Sequence, residues 1–169
     1  MKKHPNILFF GIDSLRSDHM SLYGYKRLTT PHIDAFIEDG GITFDKMYSP
    51  SIPTTPGYAS MLTGMDCFST DCVALRHEGG LTEAVRTMPE ILRDYGYTST
   101  YIGGHSCRGC DNYITYPDWN PDKAEEMNKV AIPELERLAA QDKPWALFLR
   151  HMDPHSPYYT KEPFTRMFY

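Results

Sequence analysis

The sequence predicts an α/β fold, a layer sandwich with a mostly parallel central sheet flanked by helices. Two observations carry this expectation. Short, dense apolar runs at Asn6–Ile12, Tyr97–Ile102 and Pro144–Leu149 have the composition of strands covered on both faces. Between them lie stretches whose apolar residues recur every three to four positions, the period of an amphipathic helix. Strands alternating with helices imply parallel pairing through helical crossovers. A length of 169 residues suits one domain or one piece of a larger one, and no repeat, low-complexity linker or internal boundary divides residues 1–169.

The elements follow in order. Ile7–Ile12 is a strand that runs directly into Asp13. Thr30-Pro31 sets a helix cap before a proline in the first turn. Ile33, Phe36 and Ile37 then share one face, and Gly40-Gly41 stops the helix. Ile42–Tyr48 is a second candidate strand by its imperfect alternation. Pro56–Leu62 follows a loop of proline and threonine and starts a helix. Met88, Ile91, Leu92 and Tyr95 form another helical stripe, closed by Gly96. Tyr97–Ile102 is rich in Tyr, Thr and Ile and suits a strand. Arg108–Asp122 is irregular and reads as a surface excursion. Asp122–Gln141 has helical period, with Pro133 expected to break it or begin a second helix. Trp145–Leu149 is the last strand.

Composition excludes several functions. Lys and Arg total 17 against 22 Asp and Glu, so no basic surplus is present to neutralise a nucleic-acid backbone. The longest apolar runs are too short to span a bilayer, and no membrane contact is expected. Lys2 and Lys3 precede an apolar run that ends at Asp13 without a small-residue cleavage site, so the expectation is a cytoplasmic protein if residue 1 is the natural start.

In open α/β sheets, ligands bind beyond the carboxyl ends of the strands. Three polar groups fall there. Asp13 follows the first strand, placed either to hold a divalent cation or to cap a helix. Ser51-Ile52-Pro53-Thr54-Thr55-Pro56-Gly57-Tyr58 puts a hydroxyl at a loop-to-helix junction. The positive end of a helix dipole there favours an anion, although a plain threonine cap accounts for the same residues. His151-Met152-Asp153-Pro154-His155 follows the last strand and suits anion or metal binding, or a polar surface loop. Four cysteines form two close pairs, Cys67/Cys72 and Cys107/Cys110. Their spacing allows zinc or redox chemistry as well as ordinary thiols.

Taken together, these segments resemble the N-terminal part of the sulfatase family, within the alkaline phosphatase superfamily. The resemblance runs through Pro5-Asn6-Ile7-Leu8, Asp13-Ser14-Leu15-Arg16-Ser17-Asp18, Leu22-Tyr23-Gly24, Thr30-Pro31-His32-Ile33-Asp34, Gly41-Ile42-Thr43-Phe44-Asp45, Leu62-Thr63-Gly64 and Asp153-Pro154-His155-Ser156-Pro157-Tyr158. It implies an alkaline phosphatase/sulfatase-like fold, and a hydrolase making a metal-dependent attack on a small-molecule sulfate or phosphate ester. Asp13 matches a metal ligand, with Ser14 where the family often has a second Asp. The family's Cys/Ser-x-Pro-Ser-Arg motif, counted back from Thr63-Gly64, places the nucleophile at Thr54, with Gly57 and Tyr58 in place of Ser and Arg.

A threonine there is not expected to become formylglycine. It suits a direct hydroxyl nucleophile, as in relatives that cleave or transfer phosphate esters. Ser51-Ile52-Pro53 offers a rival register. Thr54 would also contact the cation, and Tyr58 and His155 the substrate. His105, in Gly103-Gly104-His105 where the family has a lysine motif, is a further candidate. The implied cofactor is Ca, Mg or Mn, with zinc on Cys67, Cys72, Cys107 and Cys110 as a separate option. The family's other metal ligands fall beyond Tyr169, which makes the chain a fragment by resemblance. Its sheet would then have an open edge that invites a homo-oligomer. A non-catalytic remnant that binds an anion or partner is the competing reading.

Overall fold

The computed structural model describes residues 4–75, 79–104, 107–116 and 123–167. Four strands, β1 (Ile7–Ile12), β2 (Thr98–Ile102), β3 (Asn112–Ile114) and β4 (Trp145–His151), form one sheet in the order β1-β4-β2-β3. Every pairing is parallel, with Ile7 opposite Ala146, Thr98 opposite Trp145 and Thr100 opposite Asn112. The expected parallel sheet is therefore present, and its three apolar runs are its three longest strands.

β4 lies between β1 and β2 and is buried along its whole length. Its residues divide the core in two by alternation. Trp145, Leu147 and Leu149 join Ile102, Tyr116, Met127, Ala131 and Leu138 beneath the long helix α5 (Lys123–Ala139). Ala146 and Phe148 join Leu62, Tyr97 and Tyr101 on the other face, beneath α2 (Thr54–Thr63) and α4 (Met88–Asp94). The helix α1 (Pro31–Glu38) follows Thr30 as the sequence suggested, and α3 (Cys67–Thr70) is a single turn capped by Asp66.

Four expectations are corrected. β1, expected to be covered on both faces, is an edge strand whose Leu8 and Phe10 are half-exposed. Ile42–Tyr48 forms no strand, and Ile42, Phe44, Met47 and Tyr48 are all well exposed. Alternation specifies which side chains share a face, but a strand also needs a partner for its backbone. The segment called irregular contains β3, a three-residue edge strand too short and polar to show a period. Pro133 sits exposed inside an unbroken α5. A proline in a helix interior costs about 3 kcal/mol. Burial of Met127, Ala131 and Leu138 against the sheet outweighs that cost.

The same helix buries a carboxylate. Glu134 accepts from Thr100 Oγ1 at 2.5 Å and from Arg137 Nε and Nη2 at 2.7 Å. The Arg137 bonds hold its carboxyl below the ordinary glutamate value against the opposing effect of burial. A depressed carboxylate stabilises the fold fully above its unfolded value, and that contribution is lost as pH falls through the folded one. Urea midpoints should therefore drop below about pH 4.5. Glu134→Gln should flatten that drop and cost about 1–2 kcal/mol at neutral pH. An unchanged acid limb in the variant would contradict the assignment.

Candidate active site

Parallel strands put their carboxyl ends at one edge, and β1 and β4 end side by side. The Asp13 N–H donates to the His151 carbonyl at 2.9 Å, extending the pairing by one residue. Ser14 then takes a left-handed backbone, φ +60, that turns the chain sharply. Asp13 is thereby held buried at the strand end, and it caps no α-helix. Its Oδ2 accepts from Arg150 Nη2 at 2.6 Å and its Oδ1 from Ser14 Oγ at 3.2 Å.

Arg150 is the last residue but one of β4, and both partners of the pair are sequestered, with side chains 4% and 7% exposed. Its guanidinium lies 5.2 Å from the centre of the Tyr58 ring, a cation–π arrangement. Burial works against the arginine's charge, yet the bond and charge of Asp13 raise its pKa above the ordinary value. Arg150 Nε is buried without a hydrogen-bond partner.

Thr54 opens α2. The residue before it is Pro53, and no side chain caps that end, so the simple threonine cap is not what forms. The first amides of the helix and its dipole are directed at the same space as Thr54. Four residues on, Tyr58 packs over β1. A Cβ at position 11 would come within 2.9 Å of Tyr58 Oη and 3.3 Å of the Leu149 carbonyl. Only glycine permits that approach. Burial pushes the Tyr58 phenol up to about 12, so it is neutral and able to donate at neutral pH.

Asp13, Thr54 and Tyr58 line one cleft of about 860 Å³, with Ser14, Ser51 and Ser60. Ser51, the rival nucleophile, is buried, and its hydroxyl accepts from Ser60 Oγ at 3.0 Å. His155 does not line this cleft. It borders a separate hollow with Glu125, Tyr158 and Lys161, and its Nδ1 lies 2.6 Å from the Ser156 carbonyl. Asp13 and Thr54 thus share one cleft, and His155, in the loop after β4, borders the neighbouring hollow. His105 lies outside the described residues.

The cysteines do not gather into one centre. Cys107 and Cys110 are paired, while Cys67 and Cys72 lie at α3, and no group of three or more metal-binding side chains forms among the described residues. A four-cysteine zinc site is therefore not what the fold builds. The donors at Asp13 do not make up a divalent site either. Asp13 is the one carboxylate lining the cleft and is already paired with Arg150, and neutral hydroxyls alone do not supply the negative charge that holds a divalent ion.

Two residues that matter here were not singled out by sequence. Arg150 falls one residue past the expected strand, and only the observed extension of β4 to His151 makes it the one charge within an otherwise apolar strand. Lys123 stands at the start of α5 with no feature in the sequence that marks it. Its side chain is 1% exposed, and its Nζ donates to the carbonyls of His155 at 2.7 Å and Pro157 at 3.3 Å, with Asp153 Oδ1 also at 3.3 Å. Asp153 Oδ2 accepts from the Ala124 N–H at 3.1 Å, so the loop and the helix start hold each other.

A parallel sheet, a buried acidic strand end and an open helix N-terminus on one cleft define an α/β protein of the alkaline phosphatase/sulfatase fold. The match to known proteins agrees. The sulfatase family model matches residues 5–169, and the chain belongs to that family. It is 31% identical to mouse (Mus musculus) steryl-sulfatase, over 67% of this chain and 20% of that protein. It is 24% identical to an ulvan-active sulfatase of Formosa agariphila, over 96% of this chain and 32% of that protein. Among solved structures, the phosphonate monoester hydrolase of Agrobacterium radiobacter superposes with a TM-score of 0.81 at 21% identity, over 98% of this chain and 44% of that one. The chain thus spans a third or less of these two curated relatives.

Proposed function

We propose that this chain carries the nucleophile-bearing part of a hydrolase acting on small-molecule sulfate or phosphate esters. The observation that supports this most is the cleft shared by Thr54 and Asp13 beneath the uncapped start of α2. Thr54 is the nucleophile. The helix amides and dipole receive the anionic ester oxygens, where developing charge is stabilised best. Tyr58 donates toward the same oxygens, and Arg150 sets the position of the Tyr58 ring and of Asp13. His155 binds substrate only if the ester reaches its neighbouring hollow.

A native threonine hydroxyl favours the phosphate side of the superfamily, a phosphodiesterase or phosphotransferase, over formylglycine-dependent sulfate cleavage. The resemblance implies Ca, Mg or Mn, and Asp13 with Thr54 supplies only part of such a site. A Thr54 hydroxyl without a cation to lower its pKa is a poor nucleophile.

The test is an assay of the protein as its gene encodes it, with an aryl sulfate and an aryl phosphate diester and added Ca, Mg or Mn. At least one ester class should turn over, and Thr54→Ala should lower turnover by roughly 10³-fold or more. Loss in Ser51→Ala with Thr54→Ala unaffected would move the nucleophile to Ser51. No turnover of either ester, together with tight binding of sulfate or phosphate, would favour a non-catalytic anion-binding role. The isolated 169-residue chain should show little or no turnover. Robust hydrolysis by it, abolished in Thr54→Ala and in Asp13→Ala, would contradict the incomplete ligand set.

A further inference from the structure

The C-x-x-C pair takes no part in the cleft chemistry, yet its geometry is specific. Cys107 and Cys110 bracket a tight turn after β2, in which the Cys110 N–H lies 3.4 Å from the Cys107 carbonyl and Gly109 takes φ +92. The turn is fixed from outside. Thr87 Oγ1 donates to the Arg108 carbonyl at 2.8 Å, and Arg93 Nη2 to the Gly109 carbonyl at 2.7 Å. A Cβ at Gly109 would collide with Glu90 Cγ, so the backbone is seated directly on the start of α4. This seating brings the two sulfurs to 2.9 Å, both half-buried against the second core cluster. Closing from there to the roughly 2.05 Å of a disulfide needs only small side-chain rotations.

Between the two thiols, Arg108 projects onto the preceding segment. Its Nη1 donates to the carbonyls of Leu81 at 3.0 Å and Thr82 at 3.1 Å, its Nη2 donates to the Val85 carbonyl, and its Nε lies 3.1 Å from Glu90 Oε1. Leu81 and Arg108 in turn wall a cavity of about 230 Å³ against Thr55, Tyr58 and Leu62 of α2. The turn is thus the anchor of the segment that covers the back of α2.

We propose that Cys107 and Cys110 are a reversible dithiol–disulfide couple that exchanges with low-molecular-weight disulfides, and that its state sets how firmly Arg108 holds residues 81–85. In the forward step the Cys107 thiolate attacks one sulfur of the small disulfide. A mixed disulfide forms and one small thiol leaves, carrying the Cys107 proton. The Cys110 thiolate then attacks Cys107 Sγ, and the second small thiol leaves with the Cys110 proton. The protein loses two electrons and two protons, and one disulfide becomes two thiols. The Cys110 S–H donates toward Cys107, which holds the Cys107 thiol below its ordinary range and suits it to attack first.

The test is a titration of the protein in mixtures of reduced and oxidised glutathione, followed by alkylation and mass mapping of each cysteine. Cys107 and Cys110 should lose alkylation together, as a 107–110 link, while Cys67 and Cys72 stay alkylatable. Cys110→Ser should trap glutathione on Cys107. Full alkylation of the pair in the most oxidising mixture, or separate stable adducts on both cysteines, would overturn the couple. If the variant does not fold, the titration of the unsubstituted protein decides alone. Amide exchange over residues 81–85 should slow on oxidation, and equal exchange in the two states would overturn the link to Arg108.

Discussion

Replacing Arg150 with methionine should cost about 3–5 kcal/mol of folding stability, the range for stranding one member of a buried ion pair. Methionine has nearly the right length, so little of the loss is a cavity. The cost falls on Asp13, a buried carboxylate that would keep only the Ser14 hydroxyl at 3.2 Å and lose the guanidinium at 2.6 Å. The cation–π contact with Tyr58 goes too, adding about 1 kcal/mol. Asp13→Asn alone should also be costly, because it strands the guanidinium. The double variant Asp13→Asn with Arg150→Met should recover a large part of both losses, since neither charge is then left unpaired. Urea unfolding of the four proteins reads this directly. A single-variant cost below about 1 kcal/mol would mean that water or another group reaches Asp13, and that the pair is not the strut described here.

Lys123→Met should leave the sheet almost untouched and loosen the loop that carries His155. The buried ammonium joins three parts of that loop, the Asp153 carboxylate and the carbonyls of His155 and Pro157. Methionine fills the same channel without a donor. Each hydrogen bond to a charged group is worth about 1.5–3 kcal/mol, offset in part because the loop carbonyls can turn to water. A net local loss of ~1.4 kcal/mol is a tenfold change in opening. Amide exchange at residues 153–158 should therefore rise by about tenfold, with exchange in β4 unchanged. If both segments accelerate equally, Lys123 supports the whole fold. If neither does, the loop is held by other contacts.

The three longest strands were legible in the sequence because each is a dense apolar run. Burial on both faces accounts for that composition in β4 and β2, whereas β1 is an edge strand with Leu8 and Phe10 half-exposed. β3 was not, since a three-residue edge strand with exposed Asn112 and Tyr113 carries no such constraint. Ile42–Tyr48 misled in the opposite direction, because alternation says nothing about whether a neighbouring strand exists. Asp13 and Thr54 were legible from their places at a strand end and a helix start, positions the fold class itself makes significant. The Asp13–Arg150 pair was not. Their side chains meet across a sequence separation of 137 residues, and no local pattern marks an arginine inside a strand as the partner of an acid at the end of another.

The pairing of β1 with β4 sets a schedule for the chain as it is made. Ile7 meets its partner Ala146 only after the whole stretch between them has been synthesised, whereas β2 and β3 lie closer to β4 in sequence and can assemble around it as a local unit. At ordinary translation rates the first strand waits on the order of ten seconds. Throughout that wait it presents Ile7, Leu8, Phe9 and Phe10 to solvent on a segment with the composition of an aggregation nucleus. Until β4 is made, β1 is an unpaired apolar segment, and shielding it over that interval should raise the yield of folded protein.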